Sequence, residues 1–326
     1  MSSFSFSMRQ STSGEGLTDE MTENTVQQTS AAQKPVVDRA LIAHMTRNEA
    51  DMAFKKRVET IFEWVQPKTG DLILDMPCGR GFYLNMMRYA SGATLVGAEL
   101  DTEVLWKAKR NVGHLPDLML NQANIYALPY ADNTFDAVIL SEILEHIDDD
   151  VAGLKEALRV LKPGGVAAIT VPNANYPFWW DPINKTLETL FDTHIQHGPF
   201  AGLWANHVRL YTQRQLREAA IASGFEIEEE RAFTHHSFPF IHNLVYGFGM
   251  PLLESGLMPK KMANAADRTT FDQNDGSLLN PINLGLKVFN WFDRHNVISE
   301  PPGRTTVNLA IKLRKPQVAD EPSGRR

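Results

Sequence analysis

The succession of apolar runs in this chain predicts a doubly wound α/β fold around a mostly parallel sheet. Three observations carry that expectation. Short strand-like runs alternate with helical stretches between residues 71 and 171, a Gly-x-Gly turn joins the first strand to the helix after it, and the second strand closes on an acid. Strands spaced by helices are the mark of βαβ units, whose crossovers cover both faces of a parallel sheet.

Each element follows from its own residues. Asp71 to Met76 (DLILDM) reads as a buried strand, and Phe82 to Tyr89 continues as a helix. Thr94 to Glu99 is the second strand, followed by a helix that Asp101 is placed to cap. Leu118 to Asn121 is a short third strand, and Phe135 to Leu140 a fourth after an Asp132-Asn133 turn. Val151 to Leu161 is helical and stops at Lys162-Pro163-Gly164-Gly165, beyond which Val166 to Val171 makes a fifth strand. A sixth lies near Phe225 to Arg231 and a seventh near Thr306 to Leu313.

Composition narrows the function classes. Of 326 residues, 43% are hydrophobic and 22% charged, enough apolar matter for a sizeable core. The net charge of −7, with no long basic run, argues against nucleic acid as the partner, because neutralising phosphates needs clustered Lys and Arg. The single cysteine, Cys78, excludes an internal disulfide and fits a reducing, cytoplasmic location. Residues 1–35 show neither the basic start nor the apolar run of an export signal and are expected to be a disordered tail, as are residues 316–326. No stretch reaches the roughly 18 uninterrupted apolar residues of a membrane-spanning helix. The nearest, Phe238 to Met258, is broken by His242, Asn243, Pro251 and Glu254.

The chemistry is expected at the carboxyl ends of the strands. In Asp75-Met76-Pro77-Cys78-Gly79-Arg80-Gly81, the two glycines let the backbone turn sharply and approach a ligand, and the next helix points free N–H groups at it. In Leu95-Val96-Gly97-Ala98-Glu99, the terminal carboxylate is placed to accept both hydroxyls of a ribose. The dinucleotide fingerprint is incomplete, since its third glycine is replaced by Leu84, and Asp75 would repel a pyrophosphate. A ligand with a ribose and an amino-acid end suits these groups better.

With those residues in view, the chain resembles the class I S-adenosylmethionine-dependent methyltransferases, especially the ubiquinone and menaquinone methylase group. The matching stretches are LILDMPCGRG, LVGAELD, ANIYALPYADNTFDAVILSEILEHI and LKEALRVLKPGGVAAITVPN, with weaker agreement through NHVRLYTQRQLREAAIASGFEIEE. The resemblance implies a seven-stranded Rossmann-like sheet whose last two strands form an antiparallel hairpin, and S-adenosylmethionine as cofactor. It places Asp75, Gly79 and Gly81 along the methionine end, Glu99 on the ribose and Leu100 against the adenine. Asn124, where the family has Asp, and the Ile125 backbone N–H would meet the adenine edge. Ser141 and Glu142 would lie below the transferable methyl, and Cys78 is read as an inert loop residue.

General-base candidates are His146, in Glu145-His146, and His207, in Asn206-His207-Val208-Arg209. No metal ligand set is assigned, and Asp148-Asp149-Asp150 is read as a solvated helix start. Two insertions individualise the chain. Residues 173–206 hold Tyr176, Phe178, Trp179, Trp180 and Trp204 as a lid, and residues 234–303 interrupt the terminal hairpin as a helical cap with a helix at Leu284 to Phe292. The core is expected over 36–172, 207–233 and 304–315. Both insertions are expected to close a mostly apolar chamber over strands four and five, for a small-molecule or lipid-like acceptor. Peripheral membrane contact and oligomeric state stay open, as do two other classes: a protein or other macromolecule methyltransferase, and a non-catalytic cofactor-binding scaffold.

Overall fold

The computed structural model describes residues 38–317, so the tail expected over 1–35 and nearly all of that over 316–326 lie outside the described residues. Two helices precede the sheet, α1 (Arg39–Met45) and α2 (Met52–Val65). The alternating core follows as β1 (Leu72–Asp75), α3 (Phe82–Ala90), β2 (Thr94–Glu99), α4 (Thr102–Val112), β3 (Leu118–Gln122) and β4 (Phe135–Ser141). Then come α5 (Asp150–Val160), β5 (Leu161–Pro172), α6 (Pro182–Phe191), α7 (Gln213–Ala222) and β6 (Glu226–Phe233). Helices α8 (Met250–Glu254), α9 (Lys260–Ala266) and α10 (Pro281–Asp293) precede β7 (Asn308–Arg314).

The seven strands form one sheet in the order β3-β2-β1-β4-β5-β7-β6, parallel except for β7. Its strands are near-continuous apolar runs because both faces are covered. Their two-residue period sends alternate side chains to opposite cores. In β4, Val138 and Leu140 join Leu154, Ala157 and Leu216 beneath α5 and α7. Ala137 and Ile139 join Ile61, Leu84 and Ala108 beneath α2, α3 and α4.

The capping residues act as expected. Asp101 Oδ1 accepts from the Glu103 and Val104 N–H groups, and Asp149 Oδ1 accepts from Ala152 N–H. The Lys162–Gly165 segment, expected as a break, lies within the first residues of a longer β5, which shifts register between its pairings with Phe135 and Ala137. The strands β6 and β7 pair antiparallel from Glu226↔Arg314 to Phe233↔Asn308, so residues 234–303 sit at the turn of this hairpin. Their neck is stitched shut. Val307 N–H donates to Thr234 O, and the Asn296 side chain both accepts from His236 N–H and donates to His236 O.

The two insertions pack on each other. Tyr176, Trp180 and Leu203 from the first share a cluster with Phe238, Ile241, Phe289 and Phe292 from the second, seated on Met52 and Ala53 of α2. Phe240 N–H donates to Trp179 O, and Asn243 Nδ2 donates to Pro199 O. Burying these aromatic faces together stabilises both segments. Among the described residues, no helix is long and apolar enough to cross a membrane.

Candidate functional site

The loop after β1 is tied down at both ends. Met76 N–H donates to Ile139 O, Cys78 N–H to Ala98 O, and Gly81 N–H to Cys78 O, at 3.0, 2.8 and 2.8 Å. Gly79 adopts φ +52° with open space where a Cβ would lie, so its bare backbone faces a vacant volume. At φ +84° the absent Cβ of Gly81 would lie 2.7 Å from Val112 Cγ2, so that glycine allows close packing of the loop on α4.

Glu99 at the end of β2 holds this loop. Its Oε2 accepts from Gly79 N–H at 3.1 Å, while Oε1 accepts from the Leu100 and Asp101 N–H groups at 2.8 and 3.1 Å. Asp75, at the end of β1, is fully buried, and neither of its carboxylate oxygens has a hydrogen-bond partner. Burial first, then the nearby Glu99 charge, holds the Asp75 carboxyl well above the ordinary carboxylate range. A cationic ligand group beside it would offset that cost. Burial likewise pushes the Cys78 thiol up, so this side chain is an inert wall.

Beside Gly79 opens a cavity of about 610 Å³. Its floor is Gly79, Ser141 and Glu142; its walls include Phe54, Phe82 and Tyr83; and the cap contributes Tyr246, Met250, Pro251, Glu254 and Arg268. Glu142 sits at φ +56°, a rare conformation for a side chain with a Cβ, and is held there from three sides. Arg57 Nη1 lies 2.9 Å from Oε2, Thr170 Oγ1 donates to Oε1 at 2.9 Å, and Asn308 Nδ2 reaches both oxygens at 3.1 Å. A chain of hydroxyls runs from Tyr83 through Ser141, 3.1 Å away, to Thr170, 2.9 Å further.

Charged groups fasten the cap over this cavity. Tyr246 OH donates to Asp51 Oδ2 at 2.7 Å, and Arg268 pairs with buried Glu49 while lying 4.2 Å from the ring centroids of both Phe54 and Phe82. Glu254 pairs with Arg80 of the glycine loop and with Lys107 of α4.

The chamber expectation therefore needs correction. The second insertion lines the cavity, whereas no residue of the first is among its lining, and arginines and carboxylates interrupt the apolar walls. Trp179 is 57% exposed and Trp180 only 2%, so the first insertion braces the cap from behind through Trp180. The physical reason is position: the first insertion meets residues 240–243 through the Phe240–Trp179 and Asn243–Pro199 bonds and reaches the loop after β4 through Asn206 beside His146, away from the cavity lining.

Leu100, 56% exposed, and exposed Asn124 lie at neighbouring strand ends outside the cavity lining, with Ile125 buried beside them. Gln122, level with Glu99 in the β2–β3 register, donates to Leu100 O at 3.0 Å. His146 and His207 are brought together, their ring centroids 4.6 Å apart, but beside Glu145 rather than in the cavity lining. Glu145 is fully buried with both oxygens unpartnered, and burial followed by the Glu142 charge holds its carboxyl well above the ordinary range. Burial, with His146 and His242 nearby, pushes His207 down to about 3.

Sequence reasoning missed α2 altogether, and with it Phe54 and Arg57. The signal was present. Asp51 Oδ1 accepts from the Ala53 and Phe54 N–H groups, and Phe54, Val58, Ile61, Phe62 and Trp64 form one apolar face. The Tyr246 and Arg268 contributions had no signal at that level, because their partners lie some 200 residues away in sequence.

Comparison with known proteins bears on these residues. Residues 74–169 match the family model described as a methyltransferase domain. A demethylmenaquinone methyltransferase of Corynebacterium kroppenstedtii is 38% identical over 102 residues, covering 31% of this chain and 42% of that protein. A 2-phytyl-1,4-naphtoquinone methyltransferase of Nostoc is 33% identical over 116 residues, 34% of this chain and 51% of the relative. An uncharacterized methyltransferase of Schizosaccharomyces pombe is 37% identical over 107 residues, covering 30% and 38%. The chain thus spans about half or less of the length of these curated relatives. Among solved structures, a putative methyltransferase from Bacillus halodurans superposes with a TM-score of 0.47 at 17% identity, over 80% of this chain and 99% of that one.

Proposed function

We propose that this chain, which carries a class I S-adenosylmethionine-dependent methyltransferase domain, methylates a small apolar acceptor bearing a ring or a lipid-like chain. The observation that carries the reading is the 610 Å³ cavity whose floor is the Gly79 loop and the end of β4, and whose walls are Phe54, Phe82, Tyr83, Tyr246, Met250 and Pro251. Bound cofactor along Gly79 and Ser141 would fill part of this volume, and the aromatic walls with a few polar groups suit an apolar acceptor in the remainder. The relatives named for menaquinone and naphthoquinone methylation support a ring-bearing acceptor.

The residues fit the cofactor. Asp75 has an unpartnered buried carboxylate for an ammonium or sulfonium charge, and Gly79 leaves open the space that any side chain would fill. Asp75, Gly79, Glu99, Leu100, Asn124, Ile125 and Ser141 would hold it, with Gly81 acting indirectly by seating the loop against Val112. Bound S-adenosylmethionine supplies an electrophilic methyl group on a sulfonium.

The protein's own task is then mostly positioning, which can contribute several kcal/mol of barrier lowering. Tyr83 and Arg57 present a hydroxyl and a guanidinium to an acceptor oxygen, while Glu142, locked by Arg57, Thr170 and Asn308, fixes the cavity floor. The cap overhangs the cavity, and its Glu254–Arg80 pair latches it to the loop.

The test is methyl transfer from radiolabelled S-adenosylmethionine to a panel of quinols, phenols and lipid extracts. Label in an apolar small-molecule fraction, reduced by Tyr246→Ala with cofactor affinity retained, is the expected result. Label found only in peptide or RNA, or unaffected by Tyr246→Ala, would overturn the acceptor assignment.

A further inference from the structure

A second constellation stands apart from the cofactor loop. Glu145 belongs to the helical turn Leu144–His146 after β4, and its fully buried carboxylate has no hydrogen-bond partner on either oxygen. Buried carboxylates in folded proteins are almost always paired or bound to metal, because an unpartnered one costs several kcal/mol. Two imidazoles converge on it. His146 Nε2 lies 3.9 Å and His207 Nε2 4.0 Å from Glu145 Oε1, and all three ligand atoms fall within 4.8 Å of one another.

His146 is oriented for ligation, while the buried Nδ1 of His207 has no hydrogen-bond partner. His146 Nδ1 lies 3.0 Å from the Asn206 carbonyl oxygen, which can only accept, so Nδ1 carries the proton and Nε2 turns its lone pair towards Glu145. A backbone carbonyl on the far ring nitrogen is the usual support of a metal-bound histidine. The two chain segments are themselves joined, since Val208 N–H donates to Glu145 O at 2.8 Å, so His207 is delivered by its neighbour's backbone bond. Two ligand atoms about 2.0–2.1 Å from one tetrahedral zinc ion stand roughly 3.3 Å apart. The two Glu145 separations need to close by roughly 0.6–0.7 Å, and the two imidazoles, within 4.8 Å of each other, by up to about 1.5 Å.

We propose that Glu145, His146 and His207 bind a borderline divalent cation of the zinc class. Two imidazoles and one carboxylate form the donor set of zinc and its open-shell congeners, not of calcium or magnesium. Three protein ligands leave a coordination position free for water or for an oxygen of a bound molecule, as in catalytic rather than structural zinc centres. The cation would satisfy Glu145 and clamp the end of the first insertion, through His207, onto the loop after β4. His146, 39% exposed at its side chain, marks the route of entry. The inference stands independently of methyl transfer, since none of the three residues lines the cavity assigned to that chemistry.

The test uses untagged full-length protein, stripped with a chelator and titrated with Co²⁺ and then Zn²⁺. One equivalent of Co²⁺ should develop visible d–d bands of a four- or five-coordinate site, and Zn²⁺ should bleach them and raise Tm. His146→Ala, at a partly exposed position, and the near-isosteric Glu145→Gln should each weaken binding by at least about tenfold, with circular dichroism and S-adenosylmethionine affinity retained. Absence of a stoichiometric Co²⁺ spectrum in the folded wild type would overturn the proposal. So would folded His146→Ala protein that binds Co²⁺ like the wild type.

Discussion

Replacing Glu99 probes how the second strand serves the cofactor loop. Its carboxylate accepts three backbone N–H groups, from Gly79 at 3.1 Å, Leu100 at 2.8 Å and Asp101 at 3.1 Å, at a site only 8% exposed. Of these three only the Gly79 bond crosses from β2 to the loop, beside the backbone bond from Cys78 N–H to Ala98 O. Glu99→Ala removes that anchor and the acceptor proposed for a ribose diol. Hydrogen bonds to a charged group contribute about 1.5–3 kcal/mol. The Kd for S-adenosylmethionine should therefore rise roughly ten- to hundredfold. Three N–H groups also lose their acceptor, at up to about 1–3 kcal/mol for each one left dry, so Tm must be followed alongside. Glu99→Gln separates the effects. Its single carbonyl oxygen can keep the Leu100 and Asp101 bonds, but the NH₂ then faces Gly79 N–H, donor against donor. Glu99→Gln should retain most of the stability and still bind weakly by calorimetry. A folded Glu99→Ala protein with unchanged affinity would remove Glu99 from the site.

Three further outcomes follow from the same geometry. Gly79→Ala and Gly81→Ala should part company: the first loses cofactor affinity with a stability loss limited to the roughly 1–2 kcal/mol of a left-handed alanine, while the second, driven against Val112, loses the larger share of stability, and thermal melts with calorimetry decide between them. Trp180→Ala should destabilise the fold by about 3–5 kcal/mol in denaturant titration, whereas Trp179→Ala, at an exposed ring, should change little. Asp75 supplies a pH signature. Its folded pKa is raised, so the unfolded chain ionises first; stability from neutral Asp75 is full below the ordinary carboxylate value and is lost as pH rises towards the raised one. A cationic ligand favours the ionised form, so binding in that window should release protons. Calorimetry in two buffers of different ionisation enthalpy should detect the release in wild type and lose it in Asp75→Asn; equal enthalpies for wild type would refute the Asp75 contact.

The sequence by itself determined the doubly wound core, because that part of the fold is written in local terms. A two-residue alternation delivers Val138 and Ala137 to opposite cores, Asp101 and Asp149 cap the helices that follow them, and the β1 and β2 ends carry Gly79 and Glu99 within 20 residues of each other. Tertiary structure alone decided what surrounds that core. Whether Gly81 faces a ligand or Val112 depends on how α4 packs, which no local pattern encodes. The cavity is closed by Tyr246 on Asp51 and Arg268 on Glu49, pairs some 200 residues apart that no local pattern joins. Likewise His146 and His207 read as two separate general-base candidates along the chain. Only the folding of residues 206–208 against the loop after β4 sets both imidazoles on one buried carboxylate.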